Sequence, residues 1–301
     1  MNNPYVIETQ ELTKRFKQFE AVRSVSLRIF GGQITGFLGR NGAGKTTTIK
    51  MLLGITHPTS GSGTVLGHRI DIPKESVEMR KHVAYVGEDK QLYPYMTVEE
   101  LIRFTKSFYT DWRPDLERQL LKRYELPPGR KIKSLSKGMR TKLALLVALA
   151  RRPALLILDE PSEGLDPVSV EDLLQSLVRT ASEGTAVFFS SHQIEEVERI
   201  ADRISMIDQG KLVMDFSLDQ FRMNYRRVIL GFASQPPTAG SELFRMAGID
   251  HVRADGRQIT ILSSHNAEAI LEQARHCHAV SVDVQPITLR EVFLEKVGAD
   301  N

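Results

Sequence analysis

The chain has a single cysteine, Cys277, in 301 residues. It can close no internal disulfide, so a packed core has to hold it together, and a reducing compartment suits it. Apolar stretches such as ALLIL at 154–158 fall far short of the roughly 20 residues that a helix needs to cross a bilayer. No block of five or more like charges occurs, and the net charge is only +3. That leaves no electrostatic footprint for nucleic acid, and none is expected as a partner. The opening MNNPYVIETQ lacks a basic segment followed by an apolar one and does not read as a secretory signal. No internal repeat or heptad pattern is present, which removes solenoids and coiled coils.

What remains is ordinary globular composition, 41% apolar and 26% charged, at a length that suits about two domains. Residues 1–38 read as β-structure. LLIL (155–158) and AVFFSS (186–191) are continuous apolar runs, as expected of parallel strands covered on both faces. Helical patterns alternate with them: residues 45–53, a segment from 97 opened by the Thr97/Glu100 capping box, and KLALLVALA at 142–150. This is an α/β layout. The pattern changes near 216–226. RRVILGFA reads as a strand, SELFRMAG as a short helix, and HVRADGRQITIL as a hairpin turning at Asp255-Gly256. A helix, a strand and a closing helix boxed by Thr288 and Glu291 follow. That order is βαββαβ, a split, ferredoxin-like module. The expected division is 1–215 and 216–301.

GRNGAGKTT, from Gly39 to Thr47, joins the strand-like ITGFL to a helix. It fits G-x-x-x-x-G-K-[ST] through Gly39, Gly44, Lys45 and Thr46, with Arg40, Asn41, Gly42 and Ala43 between and Thr47 after. Chance would supply roughly 0.01 such matches in a chain of this length at average composition, so the match is informative. Glycines let backbone N–H groups converge on phosphate oxygens, and the helix start adds its positive dipole end. Lys45 offers a mobile positive charge to the β- and γ-phosphates, and Thr46 a hydroxyl to Mg²⁺. LLILDEP places Asp159 at the end of a strand, where a carboxylate can hold Mg²⁺, and Glu160 next to it, where one can polarise an attacking water. In LSKGM, Ser136 can cap the helix that follows and Gly138 allows close backbone approach, which makes a second anion site. His276-Cys277-His278 are adjacent at an element end and point apart, so they are not read as a metal site.

These residues resemble the ATP-binding cassette ATPases over roughly residues 4–215. LSKGM is similar to the signature LSGGQ, SEGLD (162–166) to the D-loop and SSH (190–192) to the switch region. The resemblance implies a P-loop NTPase cassette with a helical subdomain at about 89–150, followed by the small C-terminal α+β module. It implies that ATP and Mg²⁺ are bound, that Glu160, His192 and Lys45 act in hydrolysis, and that His192 contacts the γ-phosphate. LTKRF resembles the adenine-stacking loop, with Phe16 as the stacker and Phe19 as the near alternative. Ser136 and Gly138 would serve ATP held by a second, head-to-tail cassette, in a homodimer or a heterodimer. Glu88 stands where the family has glutamine. It keeps an acceptor oxygen near Mg²⁺ and loses an amide donor. Lys137 and Met139 replace a glycine and the glutamine of the signature.

The C-terminal module and its PITLREVFLEKVG ending resemble the tails of multidrug, antibiotic-peptide and lipid exporters. The resemblance therefore implies separate integral membrane permease subunits. They would dock on the aromatic region about 89–125, and the chain would be cytoplasmic and peripheral on the inner face of the membrane. Two alternatives stay open: a soluble cassette ATPase acting on ribosomes or DNA, and a low-activity regulatory cassette of a heterodimer.

Overall fold

The computed structural model describes residues 4–90, 92–234, 236–237 and 246–298. They form two compact units that divide between Asp215 and Phe216.

The first unit contains two sheets. One is antiparallel and built from β1 (Tyr5–Phe16), β2 (Phe19–Val25), β3 (Arg28–Phe30), β5 (Ser60–Val65) and β6 (His68–Arg69). Its order is β2-β1-β5-β6, with β3 also on β1. The other runs β11-β10-β4-β9-β8-β7, with β4 at Ile34–Leu38, β7 at Val83–Val86, β8 at Leu155–Asp159, β9 at Ala186–Ser191, β10 at Arg203–Asp208 and β11 at Lys211–Ser217. From β10 to β7 its strands pair in parallel. Every residue of β4, β8 and β9 is buried, which is why these strands carry apolar runs instead of alternating, with polar residues mainly at the ends that meet the site. One core joins both sheets: Ile7 and Leu12 from β1 share it with Phe37, Ile157 and Phe188. Each such buried side chain contributes roughly 1.5–3 kcal/mol.

Helices cover the parallel sheet: α1 (Lys45–Leu52), α2 (Pro73–His82), α6 (Pro167–Ser182) and α7 (Ile194–Ile200). A helical layer adds α3 (Val98–Lys106), α4 (Pro114–Arg123) and α5 (Lys137–Ala150), with α3 and α4 packed on α5. The capping box opens α3: Glu100 N–H donates to Thr97 Oγ1 at 3.2 Å, and Thr97 N–H donates to Glu100 Oε2 at 2.7 Å.

The second unit opens with α8 (Leu218–Asn224). It continues with β12 (Arg226–Phe232), β13 (Ile249–Asp255), β14 (Gln258–Ser263), α9 (Ala267–His276), β15 (Ala279–Pro286) and α10 (Leu289–Gly298). Its antiparallel sheet has the order β13-β14-β12-β15, that of a split βαβ arrangement. Residues 241–245 of the expected SELFRMAG helix lie outside the described residues. Asp255 pairs with Gln258, so the hairpin turns on Gly256-Arg257, one position later than expected. Gly256 takes φ +57° there. Val228, Leu230, Ile259 and Ile261 on the sheet close a small core with Ile270 and Ala274 of α9. The Thr288/Glu291 box opens α10: Glu291 N–H donates to Thr288 Oγ1 at 3.3 Å, and Thr288 N–H donates to Glu291 Oε2 at 2.9 Å.

Candidate active site

Three neighbouring parallel strands end at one place. β4 runs into the 39–44 loop, β8 into Asp159 and Glu160, and β9 into His192. Their register pairs Leu38 with Ser191 and Asp159 with Ser190. Ligands of open α/β sheets gather beyond the carboxyl ends of such strands. A cleft of about 520 Å³ opens here, lined by Asn41, Gly42, Gly44, Lys45, Thr46, Thr47, Glu88, Glu160, Glu163 and His192, with Phe19 and Ala21 on its wall.

The loop has the bare backbone a phosphate cradle needs. Gly44 caps α1 at φ +107°, and a Cβ there would lie 2.5 Å from the Ala21 carbonyl oxygen. A Cβ on Gly39 would lie 2.4 Å from the Ile207 carbonyl oxygen. The helix ladder begins with Thr48 N–H donating to Gly44 O at 2.9 Å, so the amides before it point out of the helix start. Gly44→Ala is expected to destabilise the first unit by about 2 kcal/mol, because strain and clash add. Gly42, at φ +82° with nothing within 4 Å of its added Cβ, loses about 1 kcal/mol on the same change. Thermal denaturation of the two variants reads the difference. Equal melting temperatures would mean that the Ala21 contact is unimportant.

Lys45 and Glu160 form a buried ion pair, Nζ to Oε1 3.0 Å, with both side chains under a tenth exposed. Lys45 Nζ also donates to Gly39 O at 2.6 Å and Arg40 O at 3.1 Å. The other oxygen of Glu160 meets His192 Nδ1 at 2.9 Å. Glu160 has φ +46°, a conformation that side chains other than glycine seldom take and that clusters at working sites. Its amide donates to Ser190 Oγ at 3.0 Å, and Ser190 Oγ donates to Asp159 Oδ1 at 2.7 Å.

Asp159 Oδ2 is fully buried without a hydrogen-bond partner. Asp159 also lines a second cavity of about 470 Å³, with Thr46, Tyr85, Glu88 and Lys90. Burial, and then the neighbouring Glu163 carboxylate, push Glu88 above the usual carboxylate range. Burial, with Asp159 next, pushes the Tyr85 phenol up to about 12. An orphaned carboxylate oxygen, a hydroxyl and a crowded carboxylate suit a hard divalent cation that completes its shell with phosphate oxygens.

Not every residue assigned from the sequence lines this cleft. Phe16 does not line the cleft: it is half-exposed, with Lys14 Nζ 5.1 Å from its ring centroid. Phe19, which pairs across the β1–β2 hairpin with Phe16, takes the wall position instead. Ser136 and Gly138, which the sequence assigned to a second cassette's nucleotide, do not line this cleft either. Ser136 Oγ accepts from Met139 N–H at 3.2 Å and caps α5. Lys137 lies over Gly164, where an added Cβ would come 2.6 Å from Nζ. Glu163, Lys90 and Glu196 were not anticipated. Glu196 accepts from Ser162 Oγ at 2.6 Å, and burial raises it. Glu163 lies inside SEGLD, so an acidic residue in a loop otherwise made for close contact was the available signal. Among the described residues, no three or more His, Cys, Asp or Glu side chains converge as a metal cluster, around Cys277 or elsewhere.

The family model described as "ABC transporter" matches residues 22–163. The ABC transporter ATP-binding protein YtrB of Bacillus subtilis is 30% identical over 97% of this chain and 98% of its own length. The chain belongs to the ABC transporter ATP-binding proteins. The bacitracin transport ATP-binding protein BcrA of Bacillus licheniformis is 32% identical, over 74% of each chain. A solved ATP-binding subunit of an ABC transporter superposes with a TM-score of 0.66 at 29% identity, covering 72% of this chain and 92% of that one. This ABC ATPase is therefore an ATP-binding subunit. No described helix is long and apolar enough to cross a membrane.

Proposed function

We propose that this ABC ATPase powers export through separate integral membrane permease subunits, from a peripheral position on the inner face of the membrane. The observation that carries the catalytic reading is the Lys45–Glu160–His192 chain at the carboxyl ends of three parallel strands. Lys45 and the amides of Gly42 and of Gly44 to Thr47 bind the phosphates, while those of Gly39 and Ala43 are taken by Ser191 O and Arg40 O. Glu160 takes the proton of the attacking water, and His192 orients that carboxylate and meets the γ-phosphate. Thr46, Asp159 and Glu88 would hold Mg²⁺, which screens the charge of the β- and γ-phosphates. A second cassette, a copy of this chain or a different one, supplies its own Ser136- and Gly138-type signature helix across the ATP. In return, this chain's helix α5 serves the partner's nucleotide.

The transport reading is supported by an exposed aromatic surface. Tyr95, Tyr93, Phe104 and Phe108 follow one another with centroids 5.9, 5.6 and 5.1 Å apart. All four rings are exposed, an arrangement suited to a partner's apolar segment. The export direction is supported by the bacitracin transport relative. Affinity capture of the tagged chain from gently solubilised membranes, with and without ATP, tests the proposal. A multi-span membrane protein in the eluate supports it, and a second ATPase alongside indicates a heterodimer. Ribosomal or DNA-associated proteins without a membrane protein would overturn it.

The adenine site carries its own expectation. Phe19→Ala raises the Kd for ATP about tenfold, from loss of about 1.4 kcal/mol of stacking, whereas Phe16→Ala leaves it nearly unchanged. Titration of both variants with ATP decides between the two rings.

A further inference from the structure

Lys90 is 7% exposed, and the hydrolytic reading above makes no use of it. It closes a tight turn, with its amide donating to Gly87 O at 3.1 Å and φ at +41°. Its side chain crosses to the end of β8, where Nζ donates to the Glu160 carbonyl at 3.4 Å. That distance is long for a direct bond. Burial, and then Lys137, lower the pKa of the ammonium, while the carboxylates of Glu163, Glu88 and Glu160 support its charge. Glu88, Asp89, Lys90, Lys137, Arg140 and Glu163 line a cavity of about 330 Å³. An ammonium buried in this way costs stability unless its partners hold it. A position that needed only packing would be served better by methionine or leucine.

What Lys90 holds is a residue whose own backbone is strained, at φ +46°. The Glu160 peptide is gripped on its amide by Ser190 Oγ at 3.0 Å. On its carbonyl it is gripped by Lys90 Nζ and, at 3.3 Å, by Glu163 N–H. We propose that Lys90 is a positioning residue for Glu160: its ammonium fixes the Glu160 carbonyl, and with it the direction of the carboxylate. It thereby ties the 87–90 turn, which carries Glu88, to the catalytic side chain. The inference rests on the reading of Glu160 as the base. A displaced base loses rate without losing phosphate contacts, since Lys45 and the loop amides stay in place.

The test uses the purified full chain, with phosphate release followed against ATP concentration, ATP binding measured by titration, and thermal melting. Lys90→Met is expected to lower kcat between about ten- and a hundredfold, with the Kd for ATP and the melting temperature close to wild type. Lys90→Arg, which keeps the charge, should recover most of the rate. Lys90→Gln serves if the methionine variant does not fold, with the same split expected. In a Glu160→Gln background, Lys90→Met should cause no further loss. A wild-type kcat for Lys90→Met overturns the inference, as does a joint fall in kcat, affinity and melting temperature that Lys90→Arg does not rescue. The single Glu160→Gln variant separates the two readings. If it hydrolyses at the wild-type rate, the base assignment itself falls. If it is inactive while Lys90→Met is normal, only the role of Lys90 falls.

Discussion

Glu160→Gln is expected to lower ATP hydrolysis by at least about a hundredfold while ATP binding survives. Glutamine has nearly the shape of glutamate but cannot accept the proton of the attacking water, and general-base catalysis is worth roughly 10²–10⁴ in rate. The fold should tolerate the change. Lys45 Nζ keeps two carbonyl acceptors, Gly39 O at 2.6 Å and Arg40 O at 3.1 Å, once its carboxylate partner is gone. Affinity for ATP should be unchanged or better, because Glu160 no longer competes with phosphate for the Lys45 ammonium. Single-turnover phosphate release and nucleotide titration measure the two quantities separately. Hydrolysis by the variant at the wild-type rate would remove Glu160 from the mechanism.

Lys45→Ala should do the reverse and act first on binding. Hydrogen bonds to charged groups contribute about 1.5–3 kcal/mol each. Losing the Lys45–phosphate contact should therefore raise the Kd for ATP roughly a hundredfold at the upper end of that range. Glu160 would keep His192 Nδ1 at 2.9 Å as its remaining partner, so the local geometry need not collapse. Calorimetric titration with ATP reads the loss. A Kd within about threefold of wild type would mean that the loop amides alone carry the phosphate contact.

The parts of the site that the sequence made legible share a physical reason. Gly39, Asp159 and Glu160 lie at strand ends, where an apolar run stops abruptly and the chain turns to the cleft, and Gly44 and Lys45 open the helix that follows the first of these strands. Burial on both faces announced β4, β8 and β9 in the same way. Phe16 and Phe19 were harder. They face each other across a two-residue hairpin turn, and no spacing rule says which ring turns towards the cleft. Lys90 was illegible for a different reason. Its role comes from a contact made across some 70 residues of chain, the Lys90–Glu160 bond, and no local pattern encodes such a pairing. In the second unit, alternation gave the strands. The hairpin turn was displaced by one residue because the left-handed position falls on Gly256 as the first of the two loop residues.

The positive φ of Glu160 has a consequence for how this chain can be improved. Glycine would occupy that conformation without the roughly 1–2 kcal/mol that any other residue loses there. The side chain outweighs that saving. Removing it would leave the buried Lys45 ammonium without its carboxylate, and breaking a buried ion pair costs roughly 3–5 kcal/mol. A library selected for thermostability alone would therefore keep the glutamate in its strained backbone, and stabilising substitutions have to be sought away from this residue.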